Sequence, residues 1–225
     1  MKLKDVNNQW RQVFYESDIK PSLDTALRFA NRRQDRLCPR YNDIFACFRY
    51  FPPTRTRIVI IGQDPYSDIT KANGLAFSMT DGEITGSLKS IQAAVYKCCA
   101  ERLANGNLTS WAKQGVLLLN SRLTTEQGIT HAKGHKIWEP FTDALIKWID
   151  CNIDGVVFLL WGNFAKSKAR LINNPTSIVL EYTHPSPQSD ATLPKGRRFA
   201  VGCDHFARVN KILTKQGEKP IKWGN

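Results

Sequence analysis

Four polar segments, each directly after an apolar run, contain the side chains of this sequence best suited to chemistry. They are Gln63-Asp64-Pro65-Tyr66, Asn120, Gly162-Asn163 and His184-Pro185-Ser186-Pro187. An Asn side chain pairs with an amide or imide edge through one donor and one acceptor, and an Asp with a His can split a glycosidic bond. Because an aromatic ring also stacks on a flat heterocycle, these residue types point to a nucleobase as substrate.

Each segment taken alone also fits an ordinary structural role. Asp64-Pro65 has the composition of a turn, and His184-Pro185 fits a loop histidine. Phe77, within Gly74-Leu75-Ala76-Phe77-Ser78, fits the hydrophobic core as well as a stacking platform. Turn formation does not, however, explain an Asp, an Asn and a His at three separate strand ends, so the grouping favours a site.

The apolar runs that precede these segments predict four buried strands. They extend over Arg57 to Ile61, Gly115 to Leu119, Gly155 to Trp161 and Ser177 to Tyr182. Their nearly continuous Val, Ile and Leu content is typical of parallel strands covered on both faces.

Apolar residues at spacings of three and four predict helices between the strands. The predicted spans are Ser87 to Ala104, with Ser87 as N-cap, then Trp138 to Cys151 and Asn163 to Ile172. Strands alternating with helices indicate an α/β fold, a three-layer αβα arrangement with a central four-stranded, mainly parallel sheet. Ligands bind such sheets outside the carboxyl ends of the strands, so we expect the polar segments to converge on one pocket.

A single domain over residues 1–225 accounts for this pattern, since 225 residues fit one core. Residues 1–50 are expected to form a mostly helical lead-in, and the catalytic motifs lie within 57–190. No Gly/Ser-rich linker marks a boundary.

The charge of the chain indicates a polyanionic partner. Thirty-two Lys and Arg against twenty Asp and Glu give a formal net charge of +12. This favours nucleic acid, although a merely soluble basic protein has the same signature. A membrane surface is a weaker match, because no basic amphipathic segment with a wide apolar face stands out and the longest apolar run, Val156 to Trp161, is too short to cross a bilayer.

The cysteines and histidines predict neither a disulfide framework nor a metal site. The six cysteines include no CxxC pair, which is typical of reduced thiols in a reducing compartment. His131 and His135 have the spacing of helical zinc ligands, but Gly128 and Gly134 argue against a helix there. We therefore expect a soluble intracellular protein, cytoplasmic, or nuclear if the host is a eukaryote, without a metal site.

Five motifs in order and spacing resemble those of the GQDPY-type uracil-DNA glycosylases. They are Gly62-Gln63-Asp64-Pro65-Tyr66, Gly74-Leu75-Ala76-Phe77-Ser78, Trp111 to Asn120, Leu159-Leu160-Trp161-Gly162 and His184-Pro185-Ser186-Pro187. The resemblance extends from about Tyr41 to Trp223. It implies a monomeric enzyme that flips uracil out of single- or double-stranded DNA and hydrolyses its N-glycosidic bond, leaving an abasic site, with no metal or organic cofactor. It also implies a proteinaceous inhibitor as a partner at the DNA-binding face.

The resemblance assigns roles to individual positions. Asp64 orients the attacking water and stabilises positive charge on the sugar, and His184 donates a hydrogen bond to the uracil O2 oxygen. Asn120 reads the base edge, and Phe77 stacks on the ring. Gln63 helps to hold the pocket, while Tyr66 stands where the thymine methyl would lie.

The DNA contacts implied by the resemblance include three serines. Ser87, Ser186 and Ser189 occupy positions that contact phosphate in the family, although capping or turn roles fit each of them too. Most relatives have His where this chain has Ser67, and Leu where it has Gln188. That leucine acts as a wedge in the DNA, whereas Gln188 can instead hydrogen-bond the orphaned partner base.

The segment Asp190 to Val201 is longer than in familiar relatives and contains Arg197 and Arg198. Its basic residues fit either a solvated charge run or phosphate contacts. A second hypothesis for the whole chain is a catalytically silent DNA-binding subunit of a replication complex. The presence of both Asp64 and His184 favours the enzyme, since a protein that only binds DNA needs neither group.

Overall fold

The computed structural model describes residues 3–80, 82–129 and 133–224, and the strands within them form two sheets. The strands are β1 (Leu37–Cys38), β2 (Ile58–Gly62), β3 (Val116–Asn120), β4 (Thr125–Glu126), β5 (Val157–Trp161) and β6 (Ile178–Tyr182). The order β3-β2-β5-β6 makes the main sheet, and β1 pairs with β4 in a small antiparallel one.

The α-helices of the described residues cover both faces of the main sheet. They are α1 (Asn8–Phe14), α2 (Lys20–Asn31), α3 (Ser87–Cys99), α4 (Thr109–Ala112), α5 (Glu139–Asn152), α6 (Gly162–Lys166), α7 (Pro187–Ala191), α8 (Phe199–Gly202) and α9 (His205–Lys215). The predicted three-layer α/β fold with a four-stranded central sheet is confirmed.

Each pairing of neighbouring strands in the main sheet is parallel, with β2 between β3 and β5. Val59 and Ile61 of β2 pack with the core that includes α1, α2 and α5. Ile58 and Ile60 pack with the opposite core, which includes α3 and α9. Burial on both faces explains why these strands read as continuous apolar runs.

The small sheet was not predicted from the sequence. Leu37 pairs with Glu126 and Cys38 with Thr125. Two-residue strands are too short to produce a period-two pattern. Their pairing ties the helical N-terminal region to the segment that follows β3.

Two helix predictions were wrong in detail. The helix predicted to reach Ala104 ends at Cys99, because Ala100 adopts a left-handed conformation (φ 56°) and its amide bonds the Tyr96 carbonyl. Ser87 is the first helical residue, and the N-cap is Gly86 (φ 50°), without a side-chain cap. The helix predicted over Asn163 to Ile172 is α6, followed by a 3₁₀ turn over Ser167–Leu171.

Candidate active site

The carboxyl ends of β2 and β3 meet at a close contact between Gly62 and Asn120. The two residues are paired in the parallel register, and a Cβ on Gly62 would lie 2.2 Å from Oδ1 of Asn120. Only glycine at position 62 leaves room for the buried Asn120 side chain to cross the strand end. The strand end therefore holds an amide in a fixed place.

A cavity of about 230 Å³ opens at this edge of the sheet. Its wall contains Gln63, Asp64, Tyr66, Phe77, Asn120 and His184, together with Ser87 at the start of α3. Drug-sized ligands occupy pockets of roughly 300 to 1,000 Å³, so this cavity suits a smaller ligand such as a single-ring base. The residues to which the sequence assigned catalysis and base binding thus surround one cavity.

Phe77 is held at the cavity wall by an unusual backbone conformation. Its φ is 63°, in the left-handed region that residues other than glycine rarely adopt. The amide of the preceding Ala76 donates to the Leu118 carbonyl over 3.0 Å, which attaches the segment to β3. The Phe77 ring lies with its centroid 5.4 Å from that of Trp161 and 6.0 Å from that of His184.

The His184 ring is oriented by a backbone hydrogen bond. The amide of Ser186 donates to Nδ1 of His184 over 3.1 Å. In the neutral ring this places the proton on Nε2, which becomes the donor nitrogen. Gly162 (φ 85°) packs beneath the imidazole, since a Cβ there would lie 2.8 Å from Cβ of His184. The first residue of α6, directly after β5, thus packs against the imidazole that follows β6.

The Asp64 carboxylate is mostly buried and faces a cation. Nη1 of Arg122 lies 3.3 Å from Oδ1 of Asp64. Gly134 also lies close to this carboxylate, because a Cβ on it would be 2.3 Å from the same oxygen. Burial raises the pKa of Asp64 above its ordinary value, against the opposing effects of Arg122 and a hydrogen bond from the Gly134 amide.

A chain of ion pairs extends from Asp64 into the protein, and it was not predicted from the sequence. Arg122 also pairs with Glu139 (2.7 Å), and Glu139 with Lys168 (3.4 Å). Lys168, whose side chain is 3% exposed, pairs in turn with Asp143 at 2.6 Å. An arginine two residues beyond a strand-end Asn is the one sequence signal that could have directed attention here.

The predicted DNA-contact residues lie beside the cavity rather than within it, apart from Ser87. Ser186 precedes α7, and its hydroxyl accepts from the Ser189 amide over 3.3 Å. Gln188 is exposed near the start of α7. Arg197 ends a short 3₁₀ helix over Lys195–Arg197, and Arg198 is the next residue. Both are exposed, and Nε of Arg198 donates to the Leu193 carbonyl over 3.2 Å.

The described part of the chain contains no cluster of three His, Cys, Asp or Glu residues arranged to hold a metal ion. His135 instead contacts the Thr124 hydroxyl through Nδ1 at 2.9 Å, and His131 lies outside the described residues. No described helix combines the length and apolar character needed to cross a membrane.

Comparison with known proteins places this geometry in a family. Residues 48–214 match the model described as "Uracil DNA glycosylase superfamily". The chain belongs to the uracil DNA glycosylase superfamily. That assignment agrees with the resemblance carried by the five motifs.

Similar proteins match over nearly the full chain. The uracil-DNA glycosylase of Christiangramia forsetii is 41% identical over 223 residues, covering 97% of this chain and 95% of the relative. That of Proteus mirabilis is 37% identical, with 95% of each chain covered.

Solved structures show the same fold. The crystal structure of mimivirus uracil-DNA glycosylase has a TM-score of 0.84 and 25% identity, covering all of this chain and 90% of the other. A variant of mimivirus UNG solved in complex with UGI also has a TM-score of 0.84, with 26% identity and 92% of that chain covered.

Proposed function

We propose that this protein is a DNA-repair glycosylase that flips uracil out of DNA and hydrolyses its N-glycosidic bond, releasing uracil and leaving an abasic site. The observation that carries the proposal is the convergence of Asp64, Asn120 and His184 on one small cavity lined by Phe77. A carboxylate, an amide, an imidazole and an aromatic ring are the groups needed to bind a flat base and break its bond to the sugar.

Asp64 and His184 act on opposite charges as the bond breaks. When the bond from N1 to the sugar C1′ lengthens, positive charge grows on the sugar and negative charge on the base. The Asp64 carboxylate stabilises the positive charge on the sugar and orients the water that attacks C1′. His184 donates from Nε2 to the uracil O2, and this hydrogen bond strengthens as charge accumulates on that oxygen.

Base selection rests on Asn120 and Tyr66. The Asn120 amide offers one donor and one acceptor, which matches the imide edge of uracil and mismatches the amino edge of cytosine. Its buried position makes a mismatch costly, since an unpaired polar group would remain in the pocket. Tyr66 lines the cavity and excludes the 5-methyl group of thymine by steric clash, while Gln63 supports the pocket.

The DNA face extends from the cavity over α7 and the following loop. Ser87, Ser186 and Ser189 contact phosphates, Gln188 approaches the space vacated by the flipped base, and Arg197 and Arg198 bind the backbone. Extrusion of a base costs roughly a few kcal/mol. The +12 charge helps to offset that cost through phosphate attraction.

We further propose that residues 1–225 act as one glycosylase domain and as a monomer, on single- and double-stranded DNA. A proteinaceous inhibitor is the partner we propose for the DNA-binding face, supported by the mimivirus UNG structure in complex with UGI.

The test is uracil release from single-stranded oligonucleotides and from duplexes containing U:A or U:G. We expect the wild-type chain to release uracil and Asp64→Asn to lose most of that activity while keeping DNA binding. Asp68→Asn is a matched control, because Asp68 lies four residues on, exposed, and bonds Thr70. A wild-type chain that binds DNA without releasing uracil would instead identify a catalytically silent DNA-binding subunit.

A further inference from the structure

We propose that Arg122 is a positioning residue for the reaction. Its guanidinium keeps the Asp64 carboxylate ionised and correctly oriented, and Glu139 limits how strongly it does so. This inference rests on the proposed catalytic role of Asp64. It adds Arg122, a charged group outside the cavity, which influences the ionisation and orientation of the Asp64 carboxylate.

The geometry makes Arg122 a cation shared between two carboxylates. Nη1 lies 3.3 Å from Oδ1 of Asp64, and Nε donates to Oε1 of Glu139 over 2.7 Å. The Arg122 side chain is 7% exposed, so water screens these interactions only weakly. The shorter contact is with Glu139, so the cation is only partly available to Asp64.

The position of Arg122 is fixed by backbone and ring contacts. Its amide donates to the Gln63 carbonyl over 3.0 Å, which attaches Arg122 to the residue just before Asp64. Its guanidinium carbon lies 5.1 Å from the centroid of the Phe164 ring. The first contact fixes the Arg122 backbone next to Gln63, and the second packs the guanidinium against Phe164, so both favour a cation beside Asp64.

Glu139 is itself held by a second buried cation. Nζ of Lys168 lies 3.4 Å from Oε2 of Glu139 and 2.6 Å from Oδ1 of Asp143, and it sits 5.2 Å from the Phe164 centroid. Burial alone would raise the pKa of Glu139, but Arg122 and Lys168 outweigh it and leave that pKa below its ordinary value. Glu139 thus stays charged and competes for Arg122.

The groups acting on Asp64 oppose one another. Burial raises its pKa most, Glu139 raises it slightly, and Arg122 and the Gly134 amide lower it. Loss of Arg122 should therefore favour the protonated form of Asp64. Loss of the Glu139 charge should favour the ionised form, since Arg122 is then released to Asp64.

The experiment is the pH profile of uracil release under single-turnover conditions, from about pH 5 to about pH 8. We expect Arg122→Met to move the acid limb to higher pH, so that a severalfold smaller fraction of its pH 8 rate remains at pH 5. Its rate should recover as the pH rises. We expect Glu139→Gln to move the acid limb the opposite way, and Arg122→Lys to restore most of the wild-type profile.

Arg57→Met provides the matched control. Arg57 is also largely buried and paired, with Nε 3.5 Å from Oε2 of Glu218, but it precedes β2 at the far end of the sheet. Its loss should leave the acid limb in place. Circular dichroism checks that each variant is folded.

Three outcomes would overturn the inference. In the first, Arg122→Met is folded but its acid limb has not moved. In the second, Arg122→Met and Glu139→Gln move the acid limb in the same direction. The third applies if Arg122→Met does not fold: an acid limb of Glu139→Gln that stays in place or moves to higher pH would then contradict the inference. Undiminished activity of Asp64→Asn would instead remove the proposed role of Asp64, a separate result.

Discussion

The indole Nε1–H of Trp161 donates to Nδ1 of His205 over 3.0 Å, and both side chains are buried. Nδ1 must therefore be unprotonated, and burial lowers the pKa of His205 to about 4. Trp161 in turn packs against Phe77, whose ring lines the cavity. A neutral histidine outside the cavity thus helps to hold the wall on which the base is proposed to stack.

The neutrality of His205 predicts a loss of stability in acid. The unfolded chain binds a proton at His205 below about pH 6.5, whereas the folded chain binds it only near pH 4. Unfolding is therefore favoured progressively as the pH falls through this window, by up to about 3 kcal/mol, and the contribution vanishes above pH 6.5. Urea denaturation of wild type and His205→Gln at several pH values measures this contribution to the free energy of unfolding. The glutamine keeps a hydrogen-bond acceptor for Trp161.

The free energy of unfolding should depend less on pH in His205→Gln than in wild type over this window. Parallel pH dependences for the two proteins would show that His205 is not the buried neutral group responsible.

Tyr66 is predicted to exclude thymine. Replacing it with Ala removes the ring from the cavity wall, so Tyr66→Ala should gain measurable thymine release and lose about tenfold or more in preference for uracil over thymine. Release of each base from single-stranded oligonucleotides measures this ratio. Tyr96→Ala is the control, since Tyr96 is exposed on α3. Thymine rejection that survives in Tyr66→Ala would remove the role we give to this ring.

Gln188 is predicted to limit activity on duplex DNA. An exposed amide near the start of α7 fills the gap left by a flipped base less well than an apolar side chain does. Gln188→Leu should therefore raise the ratio of duplex to single-strand activity. Gln9→Leu, exposed on α1, controls for added surface hydrophobicity. An unchanged ratio in Gln188→Leu would argue against a wedge position here.

Arg197 and Arg198 are predicted to contact phosphates. When one phosphate contact is lost, DNA binding releases about one fewer counterion. Arg197→Ala and Arg198→Ala should therefore each reduce the magnitude of the slope of log K against log salt concentration by about one. Fluorescence anisotropy with a duplex at several salt concentrations measures it. Arg55→Ala is the control, because exposed Arg55 precedes β2 at the opposite end of the sheet. Slopes identical to that of wild type would assign both arginines to the solvated surface.

The strands were predictable because burial on both faces leaves a clear mark in the sequence. Val116–Asn120 and Val157–Trp161 were each placed to within two residues at either end. The end of α3 was not predicted correctly, because the residues after Cys99 keep a helical composition. The helix ends there because of the backbone conformation of Ala100. Propensity gives no reason for an alanine to adopt a positive φ.

The sequence by itself determined the α/β fold, the family motifs and the residues around the cavity, since strand-end chemistry in a parallel sheet must converge on one edge. Only the tertiary structure decided that Arg122 and Glu139 stand behind Asp64 and that His205 supports Trp161. These pairs lie 17 to 58 residues apart along the chain. Local patterning reports which face of an element is buried, whereas the partner of a buried charge depends on how distant elements pack.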